Sequence, residues 1–243
     1  RLIARLTKGE RVRFVSHLDI QRLLQRAFRR ADIPLSYSQG FNPHPQLSFA
    51  TALSTGYTSD AEWVDVKLDK NMEAGDFLDK VNHVMPEGFA LAECYAVEDK
   101  LPSLTALLES ADYELTFAND TDYERLKADI DKLVNGEIIV DKKTKGGIKS
   151  VDIRPQLINA EFKNGAEGIK LYIKGALTAS GSLNIELLMG ALARQSGREY
   201  DYGVHRSKLC NAQYILLRLG RQAYHEIELY SVPAGFKSIA NSP

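Results

Sequence analysis

An α+β architecture, two successive βαββαβ units with antiparallel sheets, is the fold class this sequence predicts, and three observations predict it. The 243 residues are 44% hydrophobic and 26% charged, which is ordinary for a globular chain and enough for one large domain or two small ones. Alternating segments and segments of helical periodicity follow one another as strand, helix, strand, strand, helix, strand. The same order of elements recurs in the second part of the chain, without a residue-level repeat.

Residues 2–6 alternate apolar and cationic side chains and read as a strand; Gly9 marks a turn, and residues 12–15 read as a second short extended piece. Ser16 opens a helix. Ser16-His17-Leu18-Asp19 has capping-box spacing, with aspartate standing in for a longer acid. Ile20, Leu23, Leu24, Ala27, Phe28 and Ala31 then make one apolar face, and Pro34 ends the helix. Residues 35–37 look extended and Gln39-Gly40 is a turn. "WVDVKL", residues 63–68, alternates cleanly as a strand. Residues 71–84 read as a helix with Phe77, Leu78, Val81 and Val84 on one side, stopped at Pro86-Glu87-Gly88, and residues 89–97 as a strand. Residues 99–110 form a connection.

In the second part, residues 113–117 read as a strand and 122–133 as a helix. Residues 138–140 and 153–162 are extended around the loop "KKTKGGIK". Residues 171–177 are a strand, 185–195 a helix and 207–212 extended, and residues 214–232 are apolar enough for one or two further strands. Both runs follow the split βαβ order of ferredoxin-like folds. The expected division is therefore a first ferredoxin-like domain over residues 1–100 and a second, with its C-terminal strands, over 110–243.

Net charge is −1, but it is segregated. Residues 1–50 carry nine Lys/Arg against three Asp/Glu, residues 51–135 seven against 19, and residues 136–243 fifteen against ten. Basic ends around an acidic middle suggest distinct electrostatic faces and a polyanionic partner, unless folding interleaves the segments. No apolar run approaches the roughly 20 residues that span a bilayer, and no signal-peptide pattern opens the sequence. Cys94 and Cys210 lie far apart without metal-binding spacing, so a reducing cytoplasm is expected.

The chemistry-bearing residues concentrate in residues 14–49. Arg22, Arg26 and Arg29, with Arg30 nearby, fall opposite the apolar helix face, where guanidinium forks suit phosphate. A solvated face, or pairing with the acidic middle segment, is the plain alternative. In "YSQGFNPHP" Gly40 permits positive φ, while Pro43 and Pro45, either of which can be cis, stiffen the loop around Asn42 and His44. Tyr37 and Phe41 can stack on bases, with a cation–π contribution from Arg13, unless Phe41 belongs to the core. His17 and His44 are the weak candidates for an acid/base pair, and Asp19 is better explained as a cap than as a ligand. No metal or cofactor is expected. Lys142, Lys143 and Lys145 form a basic hairpin loop able to clamp phosphates.

The run from Arg13-Phe14 through Ser16-His17-Leu18-Asp19, Arg22, Arg26-Ala27, Arg29-Arg30-Ala31, Pro34, Tyr37-Ser38, Gly40-Phe41-Asn42-Pro43-His44-Pro45 and Ser48-Phe49 resembles the signature of bacterial radical SAM-linked proteins. The likeness continues through Leu53, Gly56, Ser59 and "AEWVDVKL" and, more loosely, through Val151-Asp152-Ile153-Arg154-Pro155, which adds Arg154 to the candidate anion contacts. That resemblance implies a domain of unassigned function working beside a radical SAM protein. The chain itself lacks a cluster-binding cysteine triplet. Three readings stand: a non-catalytic module holding RNA or another phosphorylated substrate for the radical SAM partner, an RNA-processing enzyme using His17 and His44, and a protein–protein adaptor.

Overall fold

The computed structural model describes residues 1–144, 146–165, 168–178 and 181–210. Lys145 and the strands expected at 214–232 lie outside the described residues. The first half runs β1 (Leu2–Lys8), α1 (His17–Arg30), β2 (Leu47–Phe49), β3 (Thr58–Val66), α2 (Ala74–Val84) and β4 (Phe89–Ala96). A short helix α3 (Leu104–Leu107) interrupts the connection. The second half runs β5 (Ser110–Phe117), α4 (Tyr123–Val134), β6 (Ile139–Thr144), β7 (Gly147–Asp152), β8 (Leu157–Gly165), β9 (Gly168–Thr178), β10 (Gly181–Ser182), α5 (Ile185–Ser196) and β11 (Tyr202–Cys210).

This is a mixed α/β fold with one large, mostly antiparallel sheet in the order β10-β9-β5-β11-β3-β1-β4; β2 also pairs with β3 and β8 with β9. The β6–β7 hairpin stands apart as a two-stranded sheet. Within the first half β3 and β4 flank β1, both antiparallel to it. Within the second half β9 and β11 flank β5, again antiparallel. The halves join where β11 meets β3 in a parallel pairing of two rungs, His205↔Thr58 and Arg206↔Ser59.

Helix α1 forms for the local reasons visible in its residues. Ser16 caps it: its Oγ accepts from the Asp19 N–H at 3.3 Å and donates to Asp19 Oδ2 at 2.7 Å. The short aspartate thus returns to the cap's hydroxyl, where a glutamate in a capping box reaches the cap's N–H. Ile20, Leu24, Ala27 and Phe28 are buried, with the Phe28 ring 5.4 Å from Phe77 of α2. These pack with Leu2, Ala4 and Leu6 of β1 and Val64 and Val66 of β3 into one core. Each fully buried large apolar side chain contributes about 1.5–3 kcal/mol. In the second half α4 packs against α5 and β8, and alternate residues Leu115, Leu171 and Ile173 of β5 and β9 are buried.

Several boundaries differ from expectation for identifiable reasons. Residues 12–15 are not extended. A 3-10 turn over Glu10–Val12 continues through local bonds, Arg13 N–H to Glu10 O and Val15 N–H to Val12 O. Helix α2 starts at Ala74, and β3 starts five residues before Trp63 because β1 offers it a partner back to Ser59. β11 likewise begins at Tyr202, paired there with Phe117.

Gly175 on β9 lies against Leu183, so a Cβ added there would sit 2.6 Å from Leu183 Cδ2 and 2.7 Å from Leu183 Cβ. Gly→Ala at an accommodating site gains about 0.4–1 kcal/mol through the unfolded chain. Overpacking costs about 1–3 kcal/mol and wins here. Gly175→Ala is expected to lower the urea midpoint with the slope unchanged; an equal or higher midpoint would contradict the packing described.

Candidate functional site

The arginines of α1 stand on its outer face. Arg22, Arg26, Arg29 and Arg30 are all exposed. Arg22 pairs with Asp19 at 3.3 Å, and Arg30 donates to the Val84 carbonyl at 2.8 Å. The guanidinium groups of Arg26 and Arg29 have no ion-pair or hydrogen-bond partner among the described residues. Residues of the acidic middle segment pair instead with Arg1, Arg5 and Arg11, through Asp65, Glu93 and Glu87, so folding interleaves the two segments in part. Asp19 is held below its ordinary pKa, first by the Ser16 hydroxyl and then by Arg22 and Arg26.

The loop after α1 has a laddered base and an open tip. Ser36 N–H donates to Lys67 O at 2.9 Å, Gln46 N–H to Ser36 O at 2.8 Å, and Ser38 N–H to His44 O at 2.9 Å. Gly40 takes φ +127° at the tip, and Pro43 and Pro45 are trans. Phe41 is fully exposed and Tyr37 45% exposed, so neither ring is committed to the core. Asn42 and His44 are exposed. His44 is oriented locally: its Nδ1 lies 2.9 Å from Ser38 Oγ, and that oxygen accepts the His44 N–H at 3.1 Å.

His17 is in a different setting. It is half-buried at the start of α1, edge-on to Phe49 with ring centroids 4.7 Å apart. Its pKa is lowered, chiefly by burial; Glu62 works against that and Arg206 adds to it. No described contact links His17 with His44. Arg13 pairs with Glu10 and stacks 4.7 Å over the Phe14 ring.

The basic candidates of the second half separate from these. Lys142 and Lys143 are exposed on β6, whereas Arg154 is half-buried and donates to the Val134 and Leu157 carbonyls, closing the end of α4. Among the described residues no group of three His, Cys, Asp or Glu could hold a metal ion. Cys94 and Cys210 are free and half-buried, and burial pushes the Cys94 thiol up to about 12.

The structure adds a polar cluster under the seam between the halves. Arg206 and Glu62 form a bidentate ion pair with side-chain exposures of 3% and 2%. Ser59 Oγ donates to Glu62 Oε1 at 2.6 Å and lies 3.0 Å from the Arg206 carbonyl. Arg206 also donates to the Ala52 carbonyl at 3.2 Å. Burial opposes the Arg206 charge, but Glu62 more than offsets it and its pKa is raised. Lys8, 1% exposed, donates from Nζ to the Arg13 carbonyl at 2.6 Å, and burial lowers its pKa. A signal for these residues existed: Lys8 continues the inward parity of Leu2, Ala4 and Leu6, Glu62 that of Val64 and Val66, and Arg206 that of Val204.

A family profile described as "Uncharacterized protein conserved in bacteria (DUF2344)" matches residues 1–191. No curated protein matches the chain. Among solved structures, one chain titled "Crystal Structure of a Cbf5-Nop10-Gar1 Complex" aligns with TM-score 0.46 and 9% identity, over 86% of this chain and 48% of that one. This chain thus spans about half the length of that structure's chain.

Breaking a buried ion pair from one side strands a charge, at a cost of about 3–5 kcal/mol, whereas replacing both partners with apolar residues is often near neutral. Arg206→Met is expected to lose that much in urea unfolding, and Arg206→Met with Glu62→Met to recover most of it. Additive losses would show that the two do not act as a pair. For His17, the unfolded chain takes up a proton near the ordinary 6.5 while the folded one resists it. Its contribution to stability is complete above pH 6.5 and is lost as pH falls toward the lowered folded value. His17→Phe is expected to make the acid-side loss of stability shallower; an unchanged pH profile would contradict the burial described.

Proposed function

The chain belongs to the DUF2344 family of uncharacterised bacterial proteins, and we propose that it is a non-catalytic binding module that holds RNA for a radical SAM partner enzyme. The observation that carries this reading is the exposed α1 face, where the Arg26 and Arg29 guanidinium groups make no ion pair among the described residues and lead along the chain to a laddered loop presenting Tyr37 and Phe41. Guanidinium groups on a rigid helix bind phosphates and release counterions. Exposed aromatic rings stack on bases without regard to sequence. Keeping two large rings in water has no packing benefit, and a loop fixed by Ser38 and two prolines loses little entropy when it binds. The Lys142 and Lys143 hairpin offers a second, separate phosphate contact. A radical SAM partner is our inference from the signature in residues 14–49, and the cytoplasm is the compartment we propose for the pair.

The fold reading belongs to the same proposal. We regard each half as a ferredoxin-like unit, with β4-β1-β3-β2 and β11-β5-β9-β8 as the corresponding strand orders. Two such units sharing one sheet would hold α1 at a fixed position on a broad platform.

An enzymatic reading through His17 and His44 has less support. His17 is packed against Phe49, and His44 is engaged by Ser38. An adaptor reading would use the same arginines on an acidic protein surface.

Affinity for a mixed bacterial RNA pool, measured across a salt series, distinguishes these. Replacing Arg22, Arg26 and Arg29 by Ala is expected to weaken binding and flatten the salt slope by about one unit for each phosphate no longer neutralised. Wild-type protein that fails to bind RNA at low salt would overturn the RNA reading and favour the adaptor. RNA turnover by the protein alone, abolished in His17→Ala or His44→Ala, would overturn the non-catalytic part.

A further inference from the structure

An open cleft of about 490 Å³ lies at the seam, on the side where β3 and β11 begin. It adjoins the short parallel junction, with Gly203 and Val204 of β11 among its lining residues. The two strands are bonded only at His205↔Thr58 and Arg206↔Ser59. Before those rungs β11 pairs with β5, as at Tyr202↔Phe117, and Thr55, Gly56 and Tyr57, which lead into β3, line the cleft. Its lining draws Arg13, Phe14 and Tyr57 from the first half and Glu186, Asp201 and Tyr202 from the second.

The first group is tied down at the Arg13 backbone. Gly56 N–H donates to the Arg13 carbonyl at 2.8 Å, and the buried Lys8 donates to the same oxygen at 2.6 Å. Gly56 adopts φ +90°, and a Cβ there would lie 3.9 Å from the Phe14 ring. Phe14 is nonetheless 70% exposed, with the Arg13 guanidinium stacked 4.7 Å over it. The Phe14 ring thus stands largely in solvent, with the Arg13 guanidinium against one face, on a backbone held at the Arg13 carbonyl.

The second group has the opposite character. Glu186, in the first turn of α5, and Asp201, just before β11, are exposed, and neither side chain has an ion-pair or hydrogen-bond partner among the described residues. Tyr57 and Tyr202 have raised pKa values, first from burial and then from the nearby Glu186, so their phenols stay protonated. Ionised carboxylates only accept hydrogen bonds, and they disfavour phosphate within the cleft. The complementary ligand is a flat ring whose in-plane edge carries N–H donors. Guanine has a ring N–H and an amino group side by side. Adenine and cytosine set an acceptor beside their amino group, and uracil flanks its one N–H with carbonyls.

We propose that this cleft receives a guanine base, stacked on Phe14 and held along its N–H edge by Glu186 and Asp201. The inference rests on the RNA reading only for the source of the base, since a free guanine nucleotide presents the same edge. α1 begins three residues beyond Phe14, so strand and base contacts would share one stretch of chain.

Calorimetric titration of the full chain with the four nucleosides tests the pocket without any phosphate contribution. Guanosine is expected to bind about tenfold or more tighter than the others. Glu186→Ala with Asp201→Ala should abolish that preference, and Phe14→Ala should weaken binding about ten- to hundredfold. All three positions are exposed, and matched thermal melts check folding. Equal binding of the four nucleosides, no guanosine binding, or indifference to these changes overturns the proposal. Titrations with a uridine pentamer, the same pentamer carrying one central guanosine, and guanosine monophosphate identify the source. Tighter binding of the guanosine pentamer assigns RNA, and tighter binding of the monophosphate assigns a free nucleotide. The variant lacking Arg22, Arg26 and Arg29 should lose pentamer affinity yet keep guanosine. If wild type binds guanosine but no RNA, the pocket stands and the RNA reading fails; if it binds RNA with a salt slope but no guanosine, the reverse holds.

Discussion

The ion pair between Glu62 and Arg206 is the constraint around which the two halves are organised. Both groups are almost wholly removed from water, so each is tolerable only in the presence of the other. They come from strands that share just two rungs of backbone pairing. The short junction is therefore supplemented by side chains: Ser59 touches Glu62 and the Arg206 carbonyl, Arg206 reaches Ala52, and Thr58 bonds His205 at 2.9 Å. A charged pair also fixes register. Sliding either strand by one residue would turn Glu62 or Arg206 to the opposite face of the sheet and leave its partner alone.

What surrounds the pair follows from it. The electrostatic reach of Glu62 and Arg206 extends to Lys8 and to His17 at the head of α1. Lys8 in turn holds the Arg13 carbonyl, and through it the short segment before the helix. The field of the seam pair thus reaches Lys8, whose bond to the Arg13 carbonyl holds the segment that opens α1, and the Ser16 cap fixes the start of the helix that carries the arginine face. The exposed groups gain a defined position without themselves being buried.

Local features of this molecule are legible in its residues. The Ser16 cap, the apolar face of α1, the Asp19–Arg22 pair and the alternation of β3 depend on neighbours three or four residues away, or on strand parity. The 3-10 turn at Glu10–Val12 departs from expectation because Val12 and Val15 suit an extended chain as well, and here the local bonds to Glu10 O and Val12 O decide otherwise. The seam cannot be read in this way. Parity alone places Lys8, Glu62 and Arg206 inward, but it does not say that Glu62 and Arg206 meet, because that depends on a register between strands 144 residues apart. For the same reason the cleft lined by Phe14 and Asp201 is not visible in the sequence: its walls are near neighbours only after the sheet is assembled. The exposure of Phe41 is likewise undecided by local pattern, since an aromatic residue in a glycine turn fits a core or a tip equally well.

The two-rung junction also bears on how the protein can come apart. Each half has its own antiparallel pairings, so each can hold its shape while the other frays. Opening the junction, however, would expose a desolvated carboxylate and guanidinium to separate fates, and the contact that closes them spans most of the described chain. The cost of partial opening is thus concentrated at one narrow place rather than spread along an interface. A narrow junction of that kind acts like a pin between two leaves of a door: drawing it separates the halves at one place, while each leaf keeps the register set by its own antiparallel pairings.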